Sequence, residues 1–396
     1  MRGGPERSRG GPLAGVRVVD LSTVVAGPLT TRILADLGAE VIKVESRAGD
    51  IMRWTGPGRH VGMGALFMHL NRGKRSVVLD LKDDAERERL LRLCESADVF
   101  FHNVRPAAMQ RLRLGYTDVA ARNPKILYVS LVGFAQNGPY APQPAYDDLI
   151  QGASGLAALF ARTGEAPRYV PLNMADRTSG LTALGVLLAA LYHREKTGKG
   201  QAVEVAMFES LVDFVFGDHL GGHSFEPAAG DFGYPRLLTT LRRPHRTSDG
   251  FICVLLYDDK QWERFFTLVG MSELYARDER LHDTLKRREH YHEAYAIVAE
   301  VLATRTTAEW LRLLRENDLP AVPMNDLDDV LNDPHLEATG FFVPQNHPTE
   351  GPMRTTGHPS RWSATPPDAP GVAPNLGEHT VEILRELEEG GNEKNP

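Results

Sequence analysis

The sequence contains little cysteine and no long apolar run. Its two cysteines, Cys94 and Cys253, lie far apart and match no metal-ligand spacing. This pattern argues against a disulfide framework, and we expect buried, reduced thiols in a cytoplasmic protein. The longest apolar stretch, residues 181–191, is shorter than the roughly 20 residues that cross a bilayer. We therefore expect no membrane association.

A surplus of positive charge is also absent. The chain has 45 lysines and arginines against 52 aspartates and glutamates, a net charge of −7. Nucleic-acid binders usually carry a basic balance or stripe, so no nucleic-acid partner is expected. Residues 1–12 are rich in glycine, arginine and proline, and no apolar run follows their arginines. We predict that this segment is a loose tail rather than a signal peptide.

The third missing feature is the glycine fingerprint of dinucleotide sites. The first predicted strand is followed by residues 22–28 (STVVAGP), which contain no G-x-G-x-x-G. This argues against a nicotinamide or flavin cofactor. The acidic residue that ends the second strand, Glu45, is therefore interpreted as structural. No metal site is predicted.

Strands alternating with helices dominate the first half of the chain. A β-branched run at 16–21 precedes a helical spacing at 29–37 and a second apolar strand at 41–44. Further strands are predicted at 76–81, 99–101, 126–132 and 201–207, and helices at 84–96, 107–112, 146–159 and 176–196. Such β-α-β units require right-handed crossovers between parallel strands. The prediction is an α/β fold with an open, doubly wound, mostly parallel sheet.

The second half of the chain changes in character. Loops rich in glycine, proline and arginine occupy 228–244, followed by a strand at 250–256 and helices at 261–269 and 280–304. A proline-rich tail then ends in a helix at 378–387. We predict a large domain at 13–226, a smaller α+β domain at 227–330 and a C-terminal segment at 331–396.

One aspartate stands immediately before a long apolar helix. Asp176 lies in the segment 173–180 (NMADRTSG). An aspartate at a helix start can cap free backbone N–H groups, and the helix dipole favours its ionised form. A carboxylate that remains anionic at neutral pH can serve as a nucleophile. An ordinary capping role is the alternative.

Two further features are compatible with an anionic ligand. The turn at 144–148 contains Tyr146, a hydrogen-bond donor, and Asp147 and Asp148, which can also cap a helix. Cations follow several strand ends, where ligands bind in open α/β sheets and where positive charge suits phosphates. These cations are Arg47, Arg72, Lys74, Arg75, Lys82, Arg105 and Arg111. Solvated surface charge is the alternative for each.

Taken together, these segments resemble one family, the class III CoA-transferases of the CaiB/BaiF type. The resemblance rests on 15–22 (GVRVVDLS), 26–28 (AGP), 34–45 (LADLGAEVIKVE), 71–76 (NRGKRS), 97–106 (ADVFFHNVRP), 146–147 (YD) and 197–201 (TGKGQ). The family includes formyl-CoA transferase and carnitine CoA-transferase, and α-methylacyl-CoA racemase is its sister branch. The similarity covers nearly the whole chain and weakens at 222–241 and after 345.

The resemblance implies a reaction and a catalytic residue. Asp176 matches the family's catalytic aspartate, whose carboxylate attacks an acyl-CoA and passes through a mixed anhydride to an aspartyl-CoA thioester. The substrates implied are an acyl-CoA, which carries coenzyme A, and a small carboxylic acid. Positions matching the family's CoA contacts are Val25, Ala26, Arg47, Leu79, Lys82, Asn103, Val104, Arg105, Arg111 and Tyr146. Ser46 departs from the family's frequent arginine, and Arg47 beside it is the expected substitute.

The resemblance leaves a choice between transferase and racemase. The racemase branch has a histidine where this chain has Tyr146, and racemisation needs a base on each face of the α-carbon. A tyrosine with an ordinary pKa near 10 is a poor base, so transfer of CoA is the favoured activity and racemisation the alternative. His219 and His223 are interpreted as structural or surface residues.

The resemblance also implies an interlocked homodimer. In formyl-CoA transferase a run of glycines closes over the site, whereas residues 230–246 contain no consecutive glycines. We therefore expect a different closure and a different substrate. Arg236, Arg242, Arg243 and Arg246 are candidates to bind the second carboxylate of a dicarboxylic acid, with exposed loop charge as the alternative.

Overall fold

The structure, a computed structural model, describes residues 10–392, with side chains up to residue 389. Most of the predicted tail at 1–12 therefore lies outside the described residues. Six parallel strands form the main sheet: β1 (Arg17–Leu21), β2 (Glu40–Glu45), β3 (Arg75–Val78), β4 (Val99–His102), β5 (Leu127–Val132) and β6 (Gln201–Ala206). Their order is β3-β2-β1-β4-β5-β6, which confirms the predicted open, doubly wound sheet.

The central strands are apolar because helices cover both faces of the sheet. Val18, Val19, Phe100 and Val129 are fully buried. The helices are α1 (Ala26–Asp36), α2 (Ala65–Asn71), α3 (Asp84–Glu95), α4 (Pro106–Arg111), α5 (Tyr116–Arg122), α6 (Asp147–Ala153), α7 (Leu156–Arg162), α8 (Met174–Thr197), α9 (Met207–His219), α10 (Asp259–Leu268), α11 (Ser272–Arg277), α12 (Glu279–His282), α13 (Thr284–Glu289), α14 (Tyr291–Leu302), α15 (Thr307–Glu316), α16 (Leu327–Leu331), α17 (Pro334–Ala338) and α18 (Thr380–Asn392). Short 3₁₀ helices occupy Ile51–Trp54 and Gly221–Ser224.

The chain divides into two compact units. Of the described residues, the first contains 10–154, 170–213 and 334–392, so it includes the whole six-stranded sheet. Its C-terminal segment adds an antiparallel hairpin, β10 (Phe342–His347) and β11 (Gly351–Thr356), and helix α18. The sequence did not predict this hairpin, because its prolines and short polar runs lack a clear strand pattern.

The second unit contains Gly155–Tyr169 and Phe214–Asp333. A three-stranded antiparallel sheet, in the order β7 (His245–Arg246), β8 (Phe251–Val254) and β9 (Ala321–Pro323), packs with helices. Its own core is built on Trp262, Phe265, Phe266 and Trp310. This agrees with the α+β character expected of the smaller domain.

The predicted domain boundaries, 13–226, 227–330 and 331–396, stay predictions. The compact units differ from them chiefly because α7 belongs to the second unit. There the Arg162 guanidinium donates to the Phe232 carbonyl at 2.9 Å.

Two details of the second half differ from expectation. The predicted single helix at 280–304 is three helices, because the Asp283 carboxylate caps a new helix by accepting the N–H groups of Leu285 and Lys286. Cys253 is partly exposed rather than buried, whereas Cys94 is buried, and both are free thiols. Among the described residues, no helix is both long enough and apolar enough to cross a membrane.

Candidate active site

The candidate site lies where the sheet reverses its strand order, at the carboxyl ends of β1 and β4. Neighbouring strands β1 and β4 lead their helices to opposite faces of the sheet, which leaves a crevice at their ends where ligands of doubly wound folds bind. The turn after β1 carries Val25 and Ala26, and the turn after β4 carries Asn103, Val104 and Arg105. The structure therefore brings these predicted CoA-binding residues together.

The turn after β1 is fixed by side chains from other elements. The Ser22 N–H donates to the Asp20 carboxylate at 2.9 Å, and the Ser22 carbonyl accepts from Lys43 Nζ at 2.8 Å. The Asn103 side chain accepts from the Thr23 N–H at 3.0 Å and donates to the Thr23 carbonyl at 2.8 Å. Asn103 thus bridges the two turns, and its amide is occupied by protein rather than free for a ligand.

Val24 is the strained point of this turn. Its φ of 71° lies in the left-handed region, which β-branched residues rarely adopt. The Val24 N–H donates to Asp50 at 3.2 Å. Strain of this kind persists where the surroundings over-determine the conformation, and it is common at functional sites. The backbone that leads into Val25 and Ala26 is therefore held in advance of any ligand.

A buried network of charges lies beneath the turn. Lys43 pairs with Asp50 at 2.9 Å, and Lys74 pairs with Asp20 at 3.0 Å, with all four side chains fully buried. Burial alone would raise the pKa of Asp20, but Lys74, Lys43 and two hydroxyl donors lower it below its usual value. Burial lowers the pKa of Lys74 to about 8, against the opposing effect of Asp20.

Glu45 belongs to the same buried region. Arg53 binds it through two nitrogens, at 2.7 Å and 2.8 Å, and the Ser76 hydroxyl donates to it at 2.7 Å. This supports the structural interpretation of Glu45.

Three of the candidate phosphate-binding cations have internal partners: Arg72 pairs with Asp36, Lys74 with Asp20 and Arg75 with Glu40 and Glu386. Their positive charge stabilises the fold, so these three residues are no longer candidates for phosphate binding.

Helix α8 places Asp176 in the same compact unit as the turn after β1. At Gly180, one turn beyond Asp176, α8 packs closely on the start of α1: an added Cβ would stand 2.7 Å from the Ala26 carbonyl oxygen. The Thr30 hydroxyl of α1 donates to the Gly180 carbonyl at 2.8 Å. Only glycine permits this approach, and it ties the helix that carries Asp176 to the helix that begins at Ala26.

The alternative of an ordinary capping role for Asp176 is not supported. Helix α8 begins at Met174 with Asn173 as its N-cap residue, so Asp176 lies inside the first turn. Among the described residues, no hydrogen bond or ion pair to the Asp176 carboxylate is found. Instead, the Asp176 backbone N–H donates to the Asp147 carboxylate of α6 at 2.9 Å. The carboxylate of Asp176 is thus left for another partner.

The expected ionisation of Asp176 is also corrected. Burial and the nearby Asp147 carboxylate raise the pKa of Asp176 to about 7, against the opposing effect of Arg177. The helix dipole contributes only about 0.3–1 kcal/mol at a helix end, too little to offset a desolvated carboxyl beside a second one. At neutral pH a substantial fraction of Asp176 is therefore protonated.

Nothing in the sequence indicated a contact between Asp147 and Asp176. Asp147 was a candidate cap for its own helix, whereas it accepts from a residue 29 positions away. Buried Gln151 completes the arrangement: its Nε2 donates to the Asp147 carboxylate at 2.7 Å. The sequence shows only that Asp147 and Gln151 lie one helical turn apart, which does not point to Asp176.

The remaining predicted CoA contacts differ in exposure. Arg47, Lys82, Arg105, Arg111 and Tyr146 are exposed to solvent, and Arg47 makes only a long 3.5 Å contact with Glu86. Leu79 is 1% exposed, and its backbone N–H donates to the Glu45 carbonyl at 2.9 Å. Val104 packs partly on the core, and its carbonyl accepts from His102 Nδ1 at 3.1 Å. Arg47, Leu79 and Lys82 follow β2 and β3, farther along the same sheet edge.

The described residues contain no group of three or more histidine, cysteine, aspartate or glutamate side chains that could hold a metal ion. In the second unit, His223 stacks on Phe232 with ring centroids 3.7 Å apart, and His219 Nδ1 accepts the Tyr234 N–H at 3.3 Å. These contacts agree with the structural interpretation of both histidines. Arg236, from the candidate dicarboxylate loop, lies over the Tyr257 ring.

Comparison with known proteins is consistent with this geometry. A family model described as CoA-transferase family III matches residues 13–380. The chain is 32% identical over 390 residues to the "Probable fatty acyl-CoA transferase Rv3272" of Mycobacterium tuberculosis, covering 94% of this chain and 97% of that protein. It is also 32% identical over 390 residues to succinyl-CoA:glutarate CoA-transferase of Mus musculus, covering 97% and 88%.

A solved structure has the same fold. The crystal structure of a CaiB/BaiF family protein from Brucella suis matches with a TM-score of 0.81 at 30% identity, covering 96% of this chain and 100% of that one.

Proposed function

Because the chain belongs to CoA-transferase family III and is a CoA-transferase, we propose that the Asp176 carboxylate is the nucleophile that carries its covalent intermediates. The observation that carries the proposal is the state of this side chain. It is half-buried, has no hydrogen-bond partner within the described residues, and stands at the start of the helix that packs on the Ala26 turn.

The chemistry follows from a carboxylate that attacks a thioester. An Asp176 oxygen adds to the acyl carbonyl of the donor, the C–S bond breaks, and CoA thiolate leaves behind a mixed anhydride. The thiolate then attacks the aspartyl carbonyl, which releases the donor acid and forms an aspartyl-CoA thioester. The acceptor carboxylate reverses both steps and leaves as the new acyl-CoA. Covalent catalysis of this kind divides one difficult exchange into easier ones.

Desolvation suits this role. A carboxylate that is poorly solvated and has a pKa of about 7 is a stronger nucleophile than an exposed aspartate, and it still has a substantial ionised fraction at neutral pH. Each tetrahedral intermediate carries an oxyanion that needs hydrogen-bond donors. Backbone N–H groups at the starts of α1 and α8 are the donors that we propose.

The CoA portion is assigned to the sheet edge. We propose that the turn at Val25 and Ala26 and the backbone at Asn103 and Val104 contact the pantetheine arm. The exposed cations Arg105 and Arg111 are proposed for the phosphates, with Arg47, Leu79 and Lys82 near the adenosine end. Tyr146, which is 65% exposed and immediately precedes Asp147, is proposed to lie by the thioester.

The acceptor is a carboxylic acid. One relative is named for succinyl-CoA and glutarate and another is named as a fatty acyl-CoA transferase, so dicarboxylic and fatty acids are the first acids to test. The racemase alternative is not favoured, because the relatives are named as CoA-transferases and Tyr146 occupies the position of the racemase histidine. The interlocked homodimer implied by the resemblance and the cytoplasmic location expected from the composition remain part of the proposal.

The decisive assay is CoA exchange by Asp176 variants. Wild-type enzyme is incubated with succinyl-CoA and a panel of free acids, and new thioesters are identified by mass. Asp176→Ala is expected to lower the rate by on the order of 10⁴-fold or more, and Asp176→Glu by roughly 100-fold through misplacement. Asp148→Ala, an exposed carboxylate of α6, is the control and should exchange normally. Near-normal exchange by Asp176→Ala would refute the assignment.

A further inference from the structure

A second carboxylate stands beside the proposed nucleophile and has no role in the chemistry described so far. Asp147 is the first residue of α6. One of its oxygens accepts the backbone N–H of Asp176 at 2.9 Å, and the other accepts from Gln151 Nε2 at 2.7 Å. The N-cap residue of α8, Asn173, supplies no side-chain acceptor to the helix. Asp147 therefore satisfies a free N–H of α8 from a different helix.

Gln151 also binds the segment that precedes α8. Its side chain is fully buried. Its Oε1 accepts the Val170 N–H at 2.9 Å, and its Nε2 also approaches the Leu172 carbonyl at 3.1 Å. Helix α6 thus contacts both the irregular segment that leads into α8 and the first turn of α8 itself. A buried amide used in this way restricts the position of the backbone at Asp176.

We propose that Asp147 is a positioning residue for the transfer reaction: it fixes the turn that presents Asp176 to the thioester, and its charge sets the pH range in which transfer proceeds. The inference rests on the proposed function of Asp176. It assigns to Asp147 an action through Asp176, not a contact with the reacting atoms.

Few charged groups act on Asp176. Burial and Asp147 raise the pKa of Asp176 to about 7, and Arg177 on α8 opposes them. Of the elements packed on α8, α1 carries Arg32 and Asp36, which pair with each other at 2.8 Å. Strand β5 carries no charged side chain, and Glu204 of β6 accepts the Gln136 N–H at 3.0 Å. Asp147 is thus the like charge acting on Asp176.

The sign of the pH effect follows. Asp176 must be ionised to attack, so activity is expected to rise with pH through the pKa of Asp176. Removing the negative charge of Asp147 lowers that pKa, because a neighbouring like charge disfavours ionisation. The rise in activity should then occur at lower pH.

Asp147→Asn separates charge from position. The asparagine keeps the shape and one oxygen to accept the Asp176 N–H. It loses the charge and also the hydrogen bond from Gln151 Nε2, because its amide nitrogen is a donor. We expect the acid limb of the kcat/KM profile for succinyl-CoA to move down by about one pH unit, while kcat on the alkaline plateau stays within a few-fold of wild type. Asp148→Asn, on the same turn and exposed, is the matched control and should leave the profile unchanged.

Asp147→Ala removes both charge and acceptor. It should shift the acid limb in the same direction and also lower the alkaline plateau by roughly 10-fold or more, because the nucleophile is no longer held in place. If the acid limb of Asp147→Asn lies at the same pH as that of wild type, in an enzyme that still transfers CoA, the proposed effect of the Asp147 charge is overturned. A wild-type plateau in Asp147→Ala would overturn the positioning role.

The inference and the proposed function fail in different ways. If Asp176→Ala retains exchange, the nucleophile assignment fails and the inference with it. If Asp176→Ala is inactive but the Asp147 variants behave as wild type, the inference alone fails. Thermal melts of every variant identify any that have not folded, and the isosteric Asp147→Asn variant keeps the test open if Asp147→Ala does not fold.

Discussion

The turn after β1 and the start of α8 treat buried carboxylates in opposite ways. Beneath the turn, Asp20 and Asp50 each lie within 3.0 Å of a lysine nitrogen and accept further hydrogen bonds. At the start of α8, Asp176 is half-buried with no such partner among the described residues, and a second carboxylate, that of Asp147, accepts its backbone N–H. The pKa of Asp20 is lowered, whereas the pKa of Asp176 is raised to about 7.

This difference separates two uses of charge. Paired charges under the turn fix backbone: they hold Ser22 and Val24, including the strained φ of 71° at Val24. An unpaired carboxyl at α8 keeps a reactive group available, at a cost in stability when it ionises. Active sites commonly contain such strongly perturbed groups, while structural ion pairs also perturb pKa values. The presence or absence of a partner distinguishes the two regions here.

The largest effect should come from removing one partner of the buried pairs. Lys43→Met leaves Asp50 without its cation and the Ser22 carbonyl without its donor. Breaking a buried ion pair in this way costs about 3–5 kcal/mol, so the variant should melt well below wild type. The exposed Lys125→Met change should shift stability by less than about 0.5 kcal/mol. Equal melting of the two variants would contradict the role of the network.

The opposite sign is expected at Asp176. Its pKa is raised from 3.8 to about 7 on folding, so the unfolded chain releases this proton at lower pH than the folded one. The group therefore costs stability as pH rises from about 4 to 7, and the full cost applies above pH 7. Asp176→Asn should stabilise the protein at pH 8 by on the order of 1–3 kcal/mol.

The pH dependence makes this prediction specific. Melting temperatures of wild type and Asp176→Asn are compared at pH 8 and near pH 4.5. At pH 4.5 the side chain at position 176 is uncharged in both folded proteins. The stabilising difference should be largest at pH 8 and should shrink towards acid pH. A variant that is less stable than wild type at pH 8 would show that Asp176 has a stabilising partner after all.

Much of the fold could be predicted from residue patterns. The β-branched runs at β1 and β2, with a helical spacing between them, predicted a parallel doubly wound sheet, because side-chain period and crossover handedness are local properties. Breaks inside helical stretches were missed where a single residue decides them. Gly155, at φ 87°, separates α6 from α7, and Asp283 starts α13.

The site was predicted less completely, because its partnerships are long-range. The resemblance assigned CoA contacts to Val25, Ala26 and Asn103. Nothing in the sequence indicated that the Asn103 amide binds Thr23, 80 positions away. The same limit hid the contact between Asp147 and Asp176. Desolvation of Asp176 depends on α1 and α6 packing around α8, so its pKa could not be inferred from the helix dipole alone.

The central claim, that Asp176 becomes covalently attached during transfer, can be measured directly. Enzyme is mixed with succinyl-CoA without an acceptor acid, quenched in acid, and digested with trypsin. The expected peptide, residues 169–177 (YVPLNMADR), contains Asp176 as its only carboxylate side chain. We predict a CoA adduct on this peptide that hydroxylamine converts to a hydroxamate. An adduct on another peptide, or none in an enzyme that exchanges CoA at a normal rate, would contradict the account.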